Sequence, residues 1–111
     1  MTAGATIEVL AEPSRRRILD NLRSGEQPVQ ALVGHLGMSQ PAVSKHLRVL
    51  RDAGMVDVRA DGQRRLYRLR PQPFVELDRW LDGYRSLWET SLDKLEEHLT
   101  EPRTRPGRNK R

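Results

Sequence analysis

Apolar side chains recur at positions 74, 77, 81, 84, 88, 92, 95 and 99, in steps of three and four. That spacing marks a helix, because residues three and four apart share one face of a 3.6-residue turn. From Phe74 to Leu99 the helix covers 26 residues and spans about 39 Å. The whole chain has 111 residues, enough for one compact domain and too short for a two-domain enzyme. Leu, Ile, Val and Phe make up 23% of it, just above the range in which disorder is the default. So small a body cannot cover so long a stripe, which Trp80 and Leu87 widen further on one flank. A second copy of the chain, related by a two-fold axis, is the expected cover.

Cysteine is absent, which excludes disulfides, thiolate metal sites and cysteine nucleophiles. The first residues carry no basic start followed by an apolar run, and no segment approaches the roughly 18 apolar residues of a membrane span. A soluble, cytoplasmic protein without a membrane partner is expected.

The net charge of +5 points to a polyanionic partner, and its distribution is more telling than its size. Residues 1–38 balance, with four basic and four acidic side chains. Residues 39–70 hold eight basic against three acidic ones, +5, and residues 71–100 reverse this to −4. Residues 101–111 carry +4, with two prolines, a glycine and no large apolar side chain. This tail is expected to be disordered and to add affinity for a polyanion without specificity.

Four short helices are expected before the long one. The first covers Thr6 to Ala11. The second starts with Pro13 in its first turn, buries Ile18, Leu19 and Leu22, and stops at Ser24-Gly25. Arg15, Arg16 and Arg17 spread over about 200° of its circumference, so they cannot all face one ligand. The third runs from Pro28 to Leu36 with Val29, Leu32, Val33 and Leu36 inward, and Gly37 follows where a turn needs positive φ. Ser39 then caps a fourth helix that has Pro41 in its first turn and ends near Ala53. The third and fourth form a helix-turn-helix candidate.

Residues 55–60 and 63–69 read as two strands of a hairpin around Asp61-Gly62. A two-residue loop there pairs Ala60 with Gln63, Val58 with Arg65 and Val56 with Tyr67, putting Val56, Val58 and Tyr67 on the inner face. It also sets Arg59 against Arg64, and like charges directly opposite need a neutralising group, which a phosphate would supply.

On the fourth helix Val43, His46, Leu47, Val49, Leu50 and Ala53 gather on one half, and Gln40, Pro41, Ser44, Lys45, Arg48 and Arg51 on the other. The second half suits a major groove: Gln and Lys reach base edges, Ser allows close approach, and Arg takes phosphates. A merely solvated face is the plain alternative, and the preceding turn, the basic hairpin and the acidic last helix favour double-stranded DNA.

The run from Ala11 to Leu22, the stretch from Ser39 to Gly54, which opens Ser-Gln-Pro-Ala-Val-Ser-Lys-His-Leu, and the hairpin closing at Tyr67-Arg-Leu69 together resemble the ArsR/SmtB family of winged helix-turn-helix repressors. The resemblance covers residues 6 to 100, and Trp80, Tyr84 and Trp88 resemble the cysteine-free, autorepressor-like branch. It implies a mainly α fold with a small β-hairpin wing, dimeric through the first and last helices, with residues 1–100 as one DNA-binding and dimerisation domain. It places the fourth helix in the major groove with Gln40, Ser44 and Lys45 as base readers, and the wing against the backbone or minor groove. The implied DNA-binding set is Ser39, Gln40, Pro41, Ser44, Lys45, His46, Arg48, Arg51, Arg59, Arg64 and Arg65. The implied dimer interface is Ile7, Leu10, Leu77, Trp80, Leu81, Tyr84, Trp88, Leu92 and Leu95. For His46 two readings stand, a phosphate contact and a histidine hydrogen-bonded inside the fold.

The chain departs from the metal-sensing members. Residues 29–36 hold no Cys-x-Cys pair, and the last helix offers only His98, with Asp93 five residues away on another face. No metal or cofactor is expected. The stripe Trp80, Tyr84, Trp88 lines either a subunit interface or a pocket for a small apolar effector. A protein-docking winged helix is the rival of a different class, against which the basic face counts because interface cores are depleted in charge. An enzyme finds no nucleophile–base pair or phosphate-cradling glycine loop.

Overall fold

A computed structural model of the chain describes residues 3–99. The expected tail at 101–111 lies outside the described residues. The described residues divide into two compact units, one up to Trp80 and one from Leu81 onward. In order, the elements are α1 (Ala3–Leu10), α2 (Pro13–Leu22), β1 (Gln27–Pro28), α3 (Val29–Leu36), α4 (Gln40–Asp52), β2 (Val56–Asp61), β3 (Arg64–Leu69) and α5 (Gln72–Leu99).

The boundaries of α2, α3 and α4 follow from local chemistry. Glu12 caps α2, accepting from the Ser14 and Arg15 N–H groups, with Pro13 in the first turn where its missing N–H costs nothing. Gly37 ends α3 in the left-handed region at φ 67°, its N–H donating to the Val33 carbonyl. The Ser39 hydroxyl accepts from the Ala42 N–H at 3.2 Å and starts α4. Gly54, at φ 76°, closes it: its N–H donates to the Arg51 carbonyl at 2.9 Å while the Met55 N–H reaches back to Leu50, also at 2.9 Å. This paired closure folds Met55 back under the helix, where it is fully buried.

Ile18, Leu19 and Leu22 of α2, Leu32 and Leu36 of α3, and Val43, Leu47 and Leu50 of α4 form the core with Met55 and Val56. Val9 and Leu10 of α1, Tyr67 and Leu69 of β3, and Phe74 pack against it.

Arg15, Arg16 and Arg17 do diverge, and each has structural work. The Arg15 Nε donates to the Val9 carbonyl and Arg16 to that of Leu10, closing α1, while Arg17 donates to the Leu36 carbonyl at the end of α3. They satisfy helix-end carbonyls that lack partners within their own helix.

The structure corrects five expectations. Helix α1 occupies Ala3–Leu10 rather than Thr6 to Ala11. Pro28 is extended, at φ −78° and ψ 162°, and precedes α3 rather than opening it. Gln27 and Pro28 instead form β1, so the sheet has three strands in the order β1-β3-β2. An edge strand tolerates a proline because only one side of it needs to pair.

The fourth correction is the hairpin register. Asp61 pairs with Arg64, Ala60 with Arg65, Arg59 with Leu66, Val58 with Tyr67, Asp57 with Arg68 and Val56 with Leu69. The loop is therefore Gly62-Gln63, with Gly62 at φ 64° in the first loop position, where a tight hairpin turn requires a positive value. Because the slip is by two residues, Val56, Val58 and Tyr67 keep a common face. Arg59 does not oppose Arg64; aspartate–arginine pairs stand opposite one another at 57/68 and 61/64.

Helix α5 was expected from Phe74 and starts at Gln72. Within the second unit, its residues from Leu81 onward carry an i,i+3 ion pair, Arg85 to Asp82 at 3.0 Å.

Candidate nucleic-acid interface

Helix α4 presents two unlike faces. Val43, Leu47 and Leu50 are buried, His46, Val49 and Ala53 are half-buried, and Gln40, Pro41, Ser44, Lys45, Arg48 and Arg51 are all exposed, as is the capping Ser39. The core holds one face and so fixes which side chains face outward. Among the described residues, Lys45, Arg48 and Arg51 have no carboxylate within ion-pair distance. Their charge stays available to an outside anion.

The hairpin is different. Arg64 pairs with Asp61 at 3.0 Å and Arg68 with Asp57 at 3.4 Å. Arg59 makes two parallel bonds to Glu26, Nε to Oε2 at 2.8 Å and an NH2 nitrogen to Oε1 at 2.9 Å. Glu26 also stands 3.8 Å from Arg68. Its hydrogen bond from Arg59 outweighs desolvation and, with the charges of Arg59 and Arg68, holds the Glu26 carboxyl below the ordinary glutamate range. Of the three hairpin arginines expected to meet DNA, only Arg65 is without a carboxylate partner among the described residues. The phosphate expected between Arg59 and Arg64 is not needed to neutralise them in the free protein.

Between these elements lies a cleft of about 230 Å³ lined by Val29, Gln30, Gln40, Gln63, Arg64 and Arg65. It brings the start of α3, the start of α4 and the tip of the hairpin onto one surface. Gln30 and Gln63 were not singled out from the sequence; both have amide donors suited to a sugar-phosphate chain.

His46 lies on the core-side edge of α4, and its Nδ1 is buried without a hydrogen-bond partner among the described residues. A histidine hydrogen-bonded inside the fold therefore finds no bond at that atom. Burial raises the pKa of the neighbouring Glu12, and the Arg15 and Ser14 N–H donors, together with the charges of His46 and Arg15, more than offset it, leaving the carboxyl below its ordinary value.

Among the described residues, no group of three or more His, Asp or Glu side chains is placed to hold a metal ion. His98, the histidine of the last helix, has its side chain outside the described residues. None of the described helices is long and apolar enough to cross a membrane.

A family model described as "Bacterial regulatory protein, arsR family" matches residues 12–58. The HTH-type transcriptional regulator Rv2034 of Mycobacterium tuberculosis is 38% identical over 94 residues, which cover 78% of this chain and 88% of that protein. The chain belongs to the ArsR family. A crystal structure described as a possible transcriptional regulator for arsenical resistance shares 48% identity over 85% of this chain and 95% of its own, with a TM-score of 0.64. The arsenical resistance operon repressor of Staphylococcus xylosus is 40% identical over 63 residues, 57% of this chain and 61% of that protein. The ArsR-family model spans the elements from the Glu12 cap of α2 through Val58 in β2, so it contains α4 whole and leaves the hairpin tip outside.

Proposed function

We propose that the chain is a DNA-binding transcriptional repressor that inserts α4 into the major groove and acts by occluding a promoter. The observation that carries this reading is α4 itself: its apolar face is locked into the core while Gln40, Ser44, Lys45, Arg48 and Arg51 stand exposed on the other. Gln40, Ser44 and Lys45 read bases, Arg48 and Arg51 take phosphates, and Arg65 extends the backbone contact from the hairpin. Regulators of this kind act by binding rather than by turnover.

The finer reading is a homodimer on an inverted repeat. Ile7 on α1 and Trp80, Tyr84, Trp88 and Leu95 on α5 are exposed, and a second copy would cover them. Two recognition helices about 34 Å apart then select half-sites one DNA turn apart. Residues 101–111 add charge to this complex, so removing them weakens binding equally on specific and random DNA and flattens its salt dependence.

Selecting bound duplexes from a random pool tests the proposal. An inverted repeat is expected, and Gln40→Ala or Ser44→Ala changes the selected bases without abolishing binding. A footprint lacking two-fold symmetry, or base preference indifferent to both variants, overturns it.

A second reading, regulation by a small apolar effector, is favoured by a cavity of about 380 Å³ in the first unit, lined by Leu10, Arg16, Leu19, Asp20, Arg23, Leu69 and Phe74. A small apolar ligand that binds the chain and also releases operator DNA would establish it; DNA affinity unchanged at saturating ligand counts against it.

A further inference from the structure

One face of the hairpin carries three arginines, Arg59, Arg64 and Arg68, and meets three carboxylates, Asp57, Asp61 and Glu26. Two of the carboxylates belong to the hairpin, and the third does not. Glu26 comes from the loop before β1, 33 positions from Arg59 in the chain, and grips that guanidinium through two bonds. We propose that Glu26 is an internal counter-anion that occupies Arg59 in the free protein and yields it to a backbone phosphate on DNA, so that this carboxylate sets how much the hairpin adds to affinity. This inference rests on the reading of the chain as a DNA-binding repressor.

Three observations support the exchange. A phosphate offers the same two-oxygen geometry that Glu26 now presents, so Arg59 can trade one for the other without changing its bonding pattern. The pair is at the surface, with the Arg59 side chain 48% and the Glu26 side chain 28% exposed, and solvent-exposed ion pairs are held only weakly. Glu26 cannot drift away once it is released: Gln27, the next residue, pairs with Tyr67 in the sheet and donates to the Asn21 carbonyl at 2.6 Å. A fixed negative charge thus stays beside the incoming phosphate and limits binding to any DNA, whatever its sequence.

The consequence is measurable because phosphate contacts displace counterions. Each contact steepens the log–log dependence of affinity on salt by about 0.9, and an arginine that must first leave a carboxylate contributes less than that. Glu26→Gln keeps the shape of the side chain and removes the charge.

The test measures affinity of the full chain for its selected operator and for a random duplex across a range of salt. In Glu26→Gln the slope is expected to steepen by up to about 0.9, with affinity rising about two- to fivefold on both DNAs. The gain is expected to vanish in the double variant Glu26→Gln, Arg59→Ala. Glu26→Asp, which keeps the charge on a shorter arm, is expected to fall between, and thermal unfolding of each variant separates a folding loss from a binding change. A folded Glu26→Gln with an unchanged or shallower slope overturns the proposal, as does a gain that survives loss of Arg59. Arg48→Ala, which removes a proposed phosphate contact on α4, provides the separate control. If it too leaves the salt slope unchanged, the DNA-binding reading fails first; if it flattens the slope while Glu26→Gln does nothing, Glu26 alone fails.

Discussion

Arg17 and Leu36 meet across 19 positions of sequence, the arginine guanidinium donating to the leucine carbonyl at 2.9 Å. The bond ties the outer face of α2 to the last turn of α3, the helix that leads through Gly37 into α4. Replacing Arg17 with Ala leaves that carbonyl to water and loosens the turn. A loss of about 1 kcal/mol is expected in urea unfolding, with no change in the bases selected by the protein. A variant as stable as wild type would show that the bond adds nothing to the fold.

Gly54→Ala tests the closure of α4. The residue sits at φ 76°, where a Cβ costs about 1–2 kcal/mol. The expected outcome is a midpoint lower by several degrees in thermal unfolding, since about 1 kcal/mol moves a domain of this size by about 4–8 °C. Gly34→Ala is the comparison: it lies inside α3 with nothing within 4 Å of the new methyl, and replacing a helical Gly by Ala is expected to hold or raise stability.

Much of this architecture is legible in local sequence, and the exceptions share a cause. Ser39, Pro41 and Gly54 mark α4, and Val43, Leu47 and Leu50 give its buried face, because caps and helical period act within a few residues. The strand β1 is two residues long and exists only because β3 is there to pair with it. The hairpin register depends on which charges finally oppose one another, and both loop placements keep the apolar face intact. The Glu26–Arg59 pair spans 33 positions, so no periodicity announces it. The candidate DNA contacts are legible in α4 alone, whereas which cations remain available emerges only from the folded arrangement.

Acid should weaken the fold partly through Glu12. Its carboxyl is held below its ordinary value of 4.5, so the group binds protons more readily unfolded than folded. Its contribution is present above pH 4.5 and is lost as the pH falls through the lower folded value. Glu12→Gln is expected to flatten the acid limb of a stability–pH profile while leaving the slope near neutrality unchanged. Parallel profiles for variant and wild type would exclude the cap as the source.

The exposed side chains of α5 make the oligomeric state a direct test of the dimer. Trp88 is 42% and Leu95 50% exposed, a large apolar surface for one chain to leave in water. Trp88→Glu and Leu95→Glu each place a charge where the proposed second copy would pack. Sedimentation is expected to give twice the chain mass for wild type and a single chain for both variants, with helix content retained. Their affinity for an isolated half-site should be unchanged, because α4 is untouched. Affinity for the full inverted repeat should fall by about a hundredfold or more, since linkage of two sites multiplies binding by about 10²–10⁴. Wild-type protein that sediments as one chain at micromolar concentration, yet binds the repeat tightly, would require some cover for α5 other than a second copy.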